Sequence, residues 1–467
     1  MRISLETTAA DLYPHLLAAL NHWHSSTSDH LLDFLLLVRE RAAADGPQTG
    51  DPAARRRYTN AVLLDGLEEL ETRRPEDTRI LRMRFIDKQA TLQVAFSLDM
   101  SEDTVNRRQR GAVLALAEVL LGRELALRKL REAALESRLP SRQYSSLFGA
   151  AEALADLAAL LAPGNPPWLV ALSGMGGIGK TALAHYLALA AVADYGEPAV
   201  HWVHVPSQPG SSPDPEAVYL AVLNELASRL TAPEGSPQAR RDQARLVLKT
   251  RPHLVVIDNL ESKSDTAILF ERLFGLAEPS KFLLTTRAGI AGTAGVHRHA
   301  VQELSFEHAA ELIRDYSREI GMGRDAITSE SDLQAIYATA GGNPLALRLV
   351  VGMAAGGMPL GVVLADLGRR KFAETDEMYD RIYRRAWDTL SGDARELLEG
   401  MPLVSETGGA SEQLLAFSEL PEDRFWIALR ELLGRSLLEA RGTPSERRYG
   451  IHPLTRSFLQ THVLHSE

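Results

Sequence analysis

Four glycines, a lysine and a threonine stand where they could cradle a phosphate: Gly174, Gly176, Gly177 and Gly179, then Lys180 and Thr181. Glycines let successive backbone N–H groups converge on one anion, and a helix starting at the lysine adds positive potential. The Lys180 ammonium is placed to reach β- and γ-phosphates, and the Thr181 hydroxyl to hold Mg²⁺. A second feature is Asp258, which ends the apolar run Leu254-Val255-Val256-Ile257. A carboxylate there can hold Mg²⁺ through its water shell, opposite Thr181. The next residue is Asn259, whose amide can orient water but cannot accept a proton. Glu261 is the acid expected to serve in its place, and hydrolysis is expected to be slow, as suits a switch. A third run, Phe282 to Thr286, ends in Arg287, which can sense a γ-phosphate through a charge-assisted bond. Together these groups predict a chain that binds a nucleoside triphosphate with Mg²⁺.

Such groups need rigid elements behind them. Trp168 to Leu172 reads as a buried strand feeding the loop, and Ala182 to Ala188 as the helix leaving it. Strands are expected at 168–173, 199–205, 253–258 and 281–286, alternating with helices, which implies a parallel sheet covered on its faces. Residues 1–45 and a stretch to about Glu71 read as helical, and a linker begins at Leu139-Pro140-Ser141. A helical region follows at about 303–372, and mixed helices and short strands close the chain. The expected architecture is multidomain, α/β plus α: an all-α domain at 1–140, a phosphate-binding-loop domain at 141–300, a helical subdomain at 301–372 and a last subdomain at 373–467. The chain has no cysteine, which excludes disulfides, thiolate catalysis and Cys-based zinc sites. No apolar run reaches membrane-spanning length, and the N-terminus lacks a signal-peptide layout, so a cytoplasmic protein is expected. The net charge of −10 argues against coating nucleic acid over the whole surface.

The order of these elements resembles that of the NB-ARC-type signal-transducing NTPases, a branch of the STAND ATPases found in plant immune receptors, apoptosome scaffolds and bacterial regulators. Further stretches carry the resemblance. Leu147-Phe148-Gly149 is similar to the segment that packs against adenine, Gly341-Gly342-Asn343-Pro344-Leu345-Ala346-Leu347 to an element whose proline contacts the base, and Trp387-Asp388-Thr389-Leu390-Ser391 to the opening of a winged helix. Ile451-His452-Pro453 stands in the place of the Met-His-Asp motif. The resemblance implies ATP and ADP as the nucleotides, Phe148, Gly149 and Pro344 at the base, a winged-helix fold for the last subdomain, and His452 on the β-phosphate of ADP in a closed resting state. Pro453 departs from the motif, so any restraint from its aspartate is absent here or supplied elsewhere. Family members usually carry a C-terminal repeat array that senses the signal. This chain stops shortly after His452, so the sensor is expected either as a separate protein or as a part removed from this chain.

A second message lies at about 75–122. Thr91 to Leu98 reads as a short amphipathic helix, Asp99-Met100 as a turn, and Ser101 as the N-cap of a second helix. That helix presents Thr104, Asn106, Arg107, Arg108 and Arg110 early, the layout of a module that reads DNA. It resembles the helix-turn-helix of sigma-factor region 4. Residues 51–131 carry 16 Lys and Arg against 13 Asp and Glu, so this stretch is more basic than the chain around it. Two functions fit. One is an ATP/ADP-switched regulator of transcription that self-associates on opening and presents several DNA-binding modules. The other is an immune or stress scaffold whose N-terminal helices recruit an effector protein.

Overall fold

The computed structural model describes residues 3, 7–25, 30–44, 52–140, 142, 144–205, 214–260, 266–286, 294–322, 327, 329–356, 358–367, 383–405, 408–435, 437–441 and 447–463. Chain contacts divide it into two units, Met1–Leu135 with Ala190–Ala199, and Glu136–Leu189 with Val200–Glu467.

The first unit is helical: α1 (Ala9–Asn21), α2 (Leu36–Ala44), α3 (Pro52–Arg73), α4 (Pro75–Leu81), α5 (Thr91–Ser97) and α6 (Glu102–Glu136). Its core is built by helical spacing. Leu12, Leu16 and Leu20 of α1 meet Leu63, Leu67 and Leu70 of α3 and the Ala112–Leu121 stretch of α6 in one buried cluster. Thr8 and Asp11 form a reciprocal cap that starts α1. Gly66 of α3 lets α6 come close, since a Cβ there would lie 2.8 Å from the Leu120 side chain. The carboxylate of Glu124, fully buried in α6, accepts the N–H groups of Leu36 (2.9 Å) and Leu37 (3.1 Å) at the start of α2. Arg128 satisfies the same carboxylate at 2.7 Å and donates onward to the Ile3 carbonyl. A buried charge is tolerable only when paired in this way, so this network fixes α2 onto α6.

Helices α5 and α6 stand in the expected helix-turn-helix order. The turn has Asp99 at φ +52°, and the Ser101 hydroxyl accepts the Thr104 N–H to cap α6. Ile80, Val94, Ala95 and Val105 close a small core beneath the turn. Helix α6 is longer than the sequence reading implied, continuing past 122 to Glu136. Its 35 residues span about 52 Å at the α-helical rise.

The second unit holds α7 (Ala151–Leu161), β1 (Leu169–Ser173), α8 (Lys180–Tyr195, whose last residues cluster with the first unit), β2 (Val200–His204), α9 (Pro215–Leu230), α10 (Pro237–Thr250), β3 (Leu254–Leu260), α11 (Thr266–Phe274), β4 (Lys281–Thr286) and β5 (Val296–Ala300). The strands form one parallel sheet in the order β2-β3-β4-β1-β5. Strands β1 to β4 are buried along nearly their whole length, as covering on both faces demands, with polar residues such as His201 in β2 and Lys281, Thr285 and Thr286 in β4 buried among the apolar ones. This is the α/β phosphate-binding-loop fold expected, with one strand more than anticipated. Helices α12 (Phe306–Glu319), α13 (Glu330–Ala340), α14 (Pro344–Ala355) and α15 (Leu360–Leu367) follow. Beyond them lie helices Gly392–Gly400, Ser411–Ser418 and Glu422–Gly434, and a small antiparallel sheet of β6 (Gly409–Ala410), β8 (Arg448–Gly450) and β7 (Glu439–Arg441). One hydrophobic cluster runs from Ala309 to Leu459, so α12–α15 and the closing region share a core. Among the described residues no helix is long and apolar enough to cross a membrane.

Candidate functional sites

Open α/β sheets bind ligands beyond the carboxyl ends of their strands, and here those ends gather the candidate groups. Between β1 and α8 the loop glycines take conformations closed to other residues. Gly174, Gly177 and Gly179 have φ of +152°, +68° and +103°. A Cβ on Gly174 would also press on the Val301 carbonyl at 3.1 Å, whereas one on Gly179 would meet nothing within 4 Å. Backbone conformation, not crowding, is therefore what requires glycine at 179, and the space around it is left for an anion. Lys180 folds over the loop, its Nζ donating to the carbonyls of Gly174 (2.8 Å) and Met175 (2.7 Å). Its first-turn neighbour, Thr181, donates from Oγ1 to Oδ1 of Asp258 at 2.9 Å.

Asp258 is buried near the tip of β3. Its Oδ1 accepts a second hydroxyl, from Thr285 of β4 at 2.6 Å, and Thr285 in turn accepts the backbone N–H of Asn259 at 2.9 Å. A hydroxyl and a carboxylate side by side, next to an anion cradle, are the donor set for a hydrated Mg²⁺, a hard cation with oxygen ligands. The residues fit both groups.

The loop is braced from α14. Asn343, almost fully buried, caps α14 by accepting the N–H groups of Leu345 and Ala346, and its amide donates to the Gly176 carbonyl at 3.0 Å. Pro344 occupies the first turn, where its missing N–H costs nothing. Just before it, Gly341 (φ +67°) and Gly342 admit a close approach, for a Cβ on Gly342 would lie 2.1 Å from the Leu304 carbonyl. Sequence reasoning named Pro344 and passed over Asn343. The signal was present, since an Asn before a Pro is a strong helix start.

These groups surround a cavity of about 1180 Å³, also lined by Phe148, Gly149, Pro344, Arg348, His452 and Arg456. Gly149 (φ +63°) brings the main chain against His308 of α12, whose Nδ1 would be 2.7 Å from an added Cβ. Arg348 stacks its guanidinium over Tyr316, 4.5 Å from the ring centre. His452 precedes the helix Pro453–Phe458 and its carbonyl accepts the Arg456 N–H at 3.0 Å. Phe148, Gly149, the loop glycines, Lys180, Thr181, Asp258, Pro344 and His452 thus border one space. Glu261 and Arg287 lie outside the described residues. His204, at the end of β2, also borders the cavity and was not anticipated.

In the first unit, Asn106, Arg107 and Arg110 are exposed on the first turns of α6. Thr104 is half-buried, with its hydroxyl 2.9 Å from that of Ser101. Arg108 is paired with Glu76 of α4, so a carboxylate competes there for its guanidinium.

The NB-ARC domain model matches residues 152–320. The regulatory protein AfsR of Streptomyces coelicolor is 26% identical over 297 residues, 62% of this chain and 29% of that protein. AfsR of Streptomyces griseus is 27% identical over 188 residues, 40% of this chain and 18% of that protein. The chain therefore spans less than a third of the length of these relatives. Among solved structures, a STAND protein with a tetratricopeptide-repeat sensor from Pyrococcus horikoshii matches with a TM-score of 0.43 and 18% identity, over 69% of this chain and 43% of that one. The Aeropyrum pernix ORC1 protein in complex with DNA matches with a TM-score of 0.36 and 14% identity, over 71% of this chain and 97% of that one.

Proposed function

We propose that this chain, whose residues 152–320 match the NB-ARC domain model, is an ATP/ADP-switched regulator of transcription. The observation that carries the switch is the linked set of Thr181, Asp258 and Thr285 beside a glycine cradle. In this reading the loop N–H groups and Lys180 hold the β- and γ-phosphates. Thr181 and Asp258 hold Mg²⁺, which when bound neutralises phosphate charge. Phe148, Gly149 and Pro344 receive the adenine, and His452 meets the β-phosphate of ADP in the resting state. Asn259 supplies no base, which suits a slow ATPase. The working division is 1–140, 141–300, 301–372 and 373–467, with the last part acting as a winged helix.

The output is assigned to DNA through α5 and α6. Support comes from the exposed Asn106, Arg107 and Arg110 and from the two regulatory proteins to which the chain is similar. ATP-driven opening and self-association would join several weak modules into one avid binder. The test is retention of genomic DNA fragments across a salt series, with ADP and with a non-hydrolysable ATP analogue. Salt-sensitive retention of particular sequences, stronger with the analogue, is expected; equal or absent retention in both states sinks the DNA output.

One observation favours the alternative, an effector-recruiting scaffold. On α5, Leu92 is 64% and Phe96 90% exposed, an apolar pair that suits a protein surface. A DNA-silent chain that captures one protein in stoichiometric amount only in its ATP state would establish that reading.

A further inference from the structure

The two pieces of chain assigned to the base are both tied to the start of α12. Leu304, just before that helix, donates its N–H to the Gly342 carbonyl at 2.9 Å, two residues ahead of Pro344. The Glu303 carboxylate accepts the Gly342 N–H at 3.2 Å, so this turn is held in both directions. One turn into α12, His308 packs its ring on Gly149, where a Cβ would lie 2.7 Å from Nδ1 and 2.9 Å from Cγ. Gly149 has φ +63°, so both its backbone conformation and the ring against it call for glycine. His308 therefore stands between the Phe148–Gly149 segment and the turn before Pro344, and all of them border one cavity.

The two ring nitrogens of His308 have different surroundings. Nδ1 lies 3.0 Å from the hydroxyl of Ser305, the N-cap of α12, which also accepts the His308 backbone N–H at 3.4 Å. Nε2 has no hydrogen-bond partner among the described residues, and the side chain is half-buried at the cavity. A serine hydroxyl has one proton to give. Given to Nδ1, it leaves the proton of the neutral imidazole on Nε2, which is then a donor.

Resting on the nucleotide-switch reading above, we propose that His308 reads the base: Ser305 donates to Nδ1, and the Nε2 N–H donates to a ring nitrogen of the bound purine. Phe148, Gly149 and Pro344 offer apolar and backbone surface that grips a flat ring, and His308 adds a side-chain donor for its edge. A donor covered by the ligand and left without an acceptor is costly, so a base lacking that nitrogen is rejected.

The experiment measures binding by calorimetry for the full chain, His308→Phe and His308→Gln. Phenylalanine keeps a flat ring against Gly149 without the N–H, and glutamine returns an amide donor near the position of Nε2. The ligands are ADP, three ADP analogues with carbon in place of N1, N3 or N7, and inorganic pyrophosphate as a base-free probe. His308→Phe is expected to weaken ADP about five- to tenfold, the worth of one hydrogen bond, with the loss absent for pyrophosphate. His308→Gln should regain about a third or more of the ADP affinity. The wild-type chain should lose a similar factor with one of the three analogues, and His308→Phe should lose nothing further with that same analogue. ADP binding by His308→Phe within about twofold of wild type overturns the assignment. So do analogue losses that are equal in wild type and His308→Phe, and so does a parallel loss of pyrophosphate binding, which marks a structural role. A wild-type chain that binds ADP no better than pyrophosphate also overturns it and leaves the phosphate cradle standing. A wild-type chain that binds neither ends both readings.

Discussion

The nucleotide cradle and the opening turns of α6 are built on opposite principles. In the cradle almost every polar group already has a partner: Lys180 with Gly174 and Met175, Thr181 and Thr285 with Asp258, Asn343 with Gly176. On α6, Asn106, Arg107 and Arg110 stand exposed on a rigid helix. A small, highly charged ligand demands pre-organised dipoles in a shielded space, where each is worth most. A long polyanion demands long cations in water, whose value lies in number and spacing. One region should therefore fail abruptly when altered, and the other by degrees.

The largest effect should come from the cradle's charge. Lys180→Ala removes the cation proposed to hold the β- and γ-phosphates and is expected to weaken ATP and ADP binding about a hundredfold or more, measured by calorimetry. A loss of less than fivefold would mean that the loop N–H groups alone carry the anion. Next is Gly342→Ala. The added Cβ would sit 2.1 Å from the Leu304 carbonyl, an unyielding backbone atom, so the turn before α14 must move and Asn343 with it. The expected cost is about 3 kcal/mol in urea unfolding of the second unit, with weaker nucleotide binding beside it. Unchanged stability would show that the close approach is relaxed at little cost.

Acid should also separate the regions. His201 and His253 are buried, with rings 5.2 Å apart and His201 Nε2 3.0 Å from His253 Nδ1. Burial, and then the neighbouring imidazole of His253, pushes His201 down to about 3, and burial with Arg251 pushes His253 to about 4. The unfolded chain binds these protons near pH 6.5 while the folded unit does not. Their stabilisation is thus complete above pH 6.5 and is lost as pH falls towards 4. Between pH 7 and pH 5 the pair should cost the second unit about 4 kcal/mol, roughly 2 for each imidazole. The first unit has no such buried imidazole pair among its described residues, so it should change less. Urea midpoints at the two pH values check this, with His253→Phe expected to flatten the slope; an identical slope removes the pair from the account.

What the sequence disclosed follows the same division. Strands β1, β3 and β4 were legible because burial on both faces forces an apolar stretch at the centre of each, Leu169 to Leu172, Leu254 to Ile257 and Phe282 to Leu284, and the loop because its chemistry fixes residue types at fixed intervals. Strand β5 was not. It pairs with β1 alone and carries His297, Arg298 and His299 in succession, so neither hydrophobicity nor alternation marks it. His204 was not legible as a cavity residue for another reason: it stands opposite Asp258, 54 residues on, and only the β2–β3 register places it there. The far half of α6 continues past the expected limit because the burial of Leu121, Glu124, Arg128 and Leu135 outweighs the roughly 1 kcal/mol that Gly122 costs inside a helix. Ser101 and the basic run were readable, whereas the pairing of Arg108 with Glu76 needed the packing of α4 against α6.

The smallest effect belongs to the exposed turns, and it tests the comparison most directly. Arg107 and Arg110 lie three residues apart on one face of α6, within reach of adjacent phosphates. If both touch the backbone, Arg107→Ala with Arg110→Ala should weaken DNA binding about tenfold and lower the slope of log affinity against log salt by about 2. The loss should be similar across sequences, because phosphate contacts position a protein without reading bases. Arg108→Ala alone should cost less, since Glu76 already holds that guanidinium. A drop confined to one sequence would move these arginines to base edges, where each bidentate pair discriminates by about 1–3 kcal/mol. An unchanged salt slope would break the comparison itself: the exposed cations of α6 would then face something other than a polyanion, and the apolar pair Leu92 and Phe96 on the preceding helix would become the surface to follow.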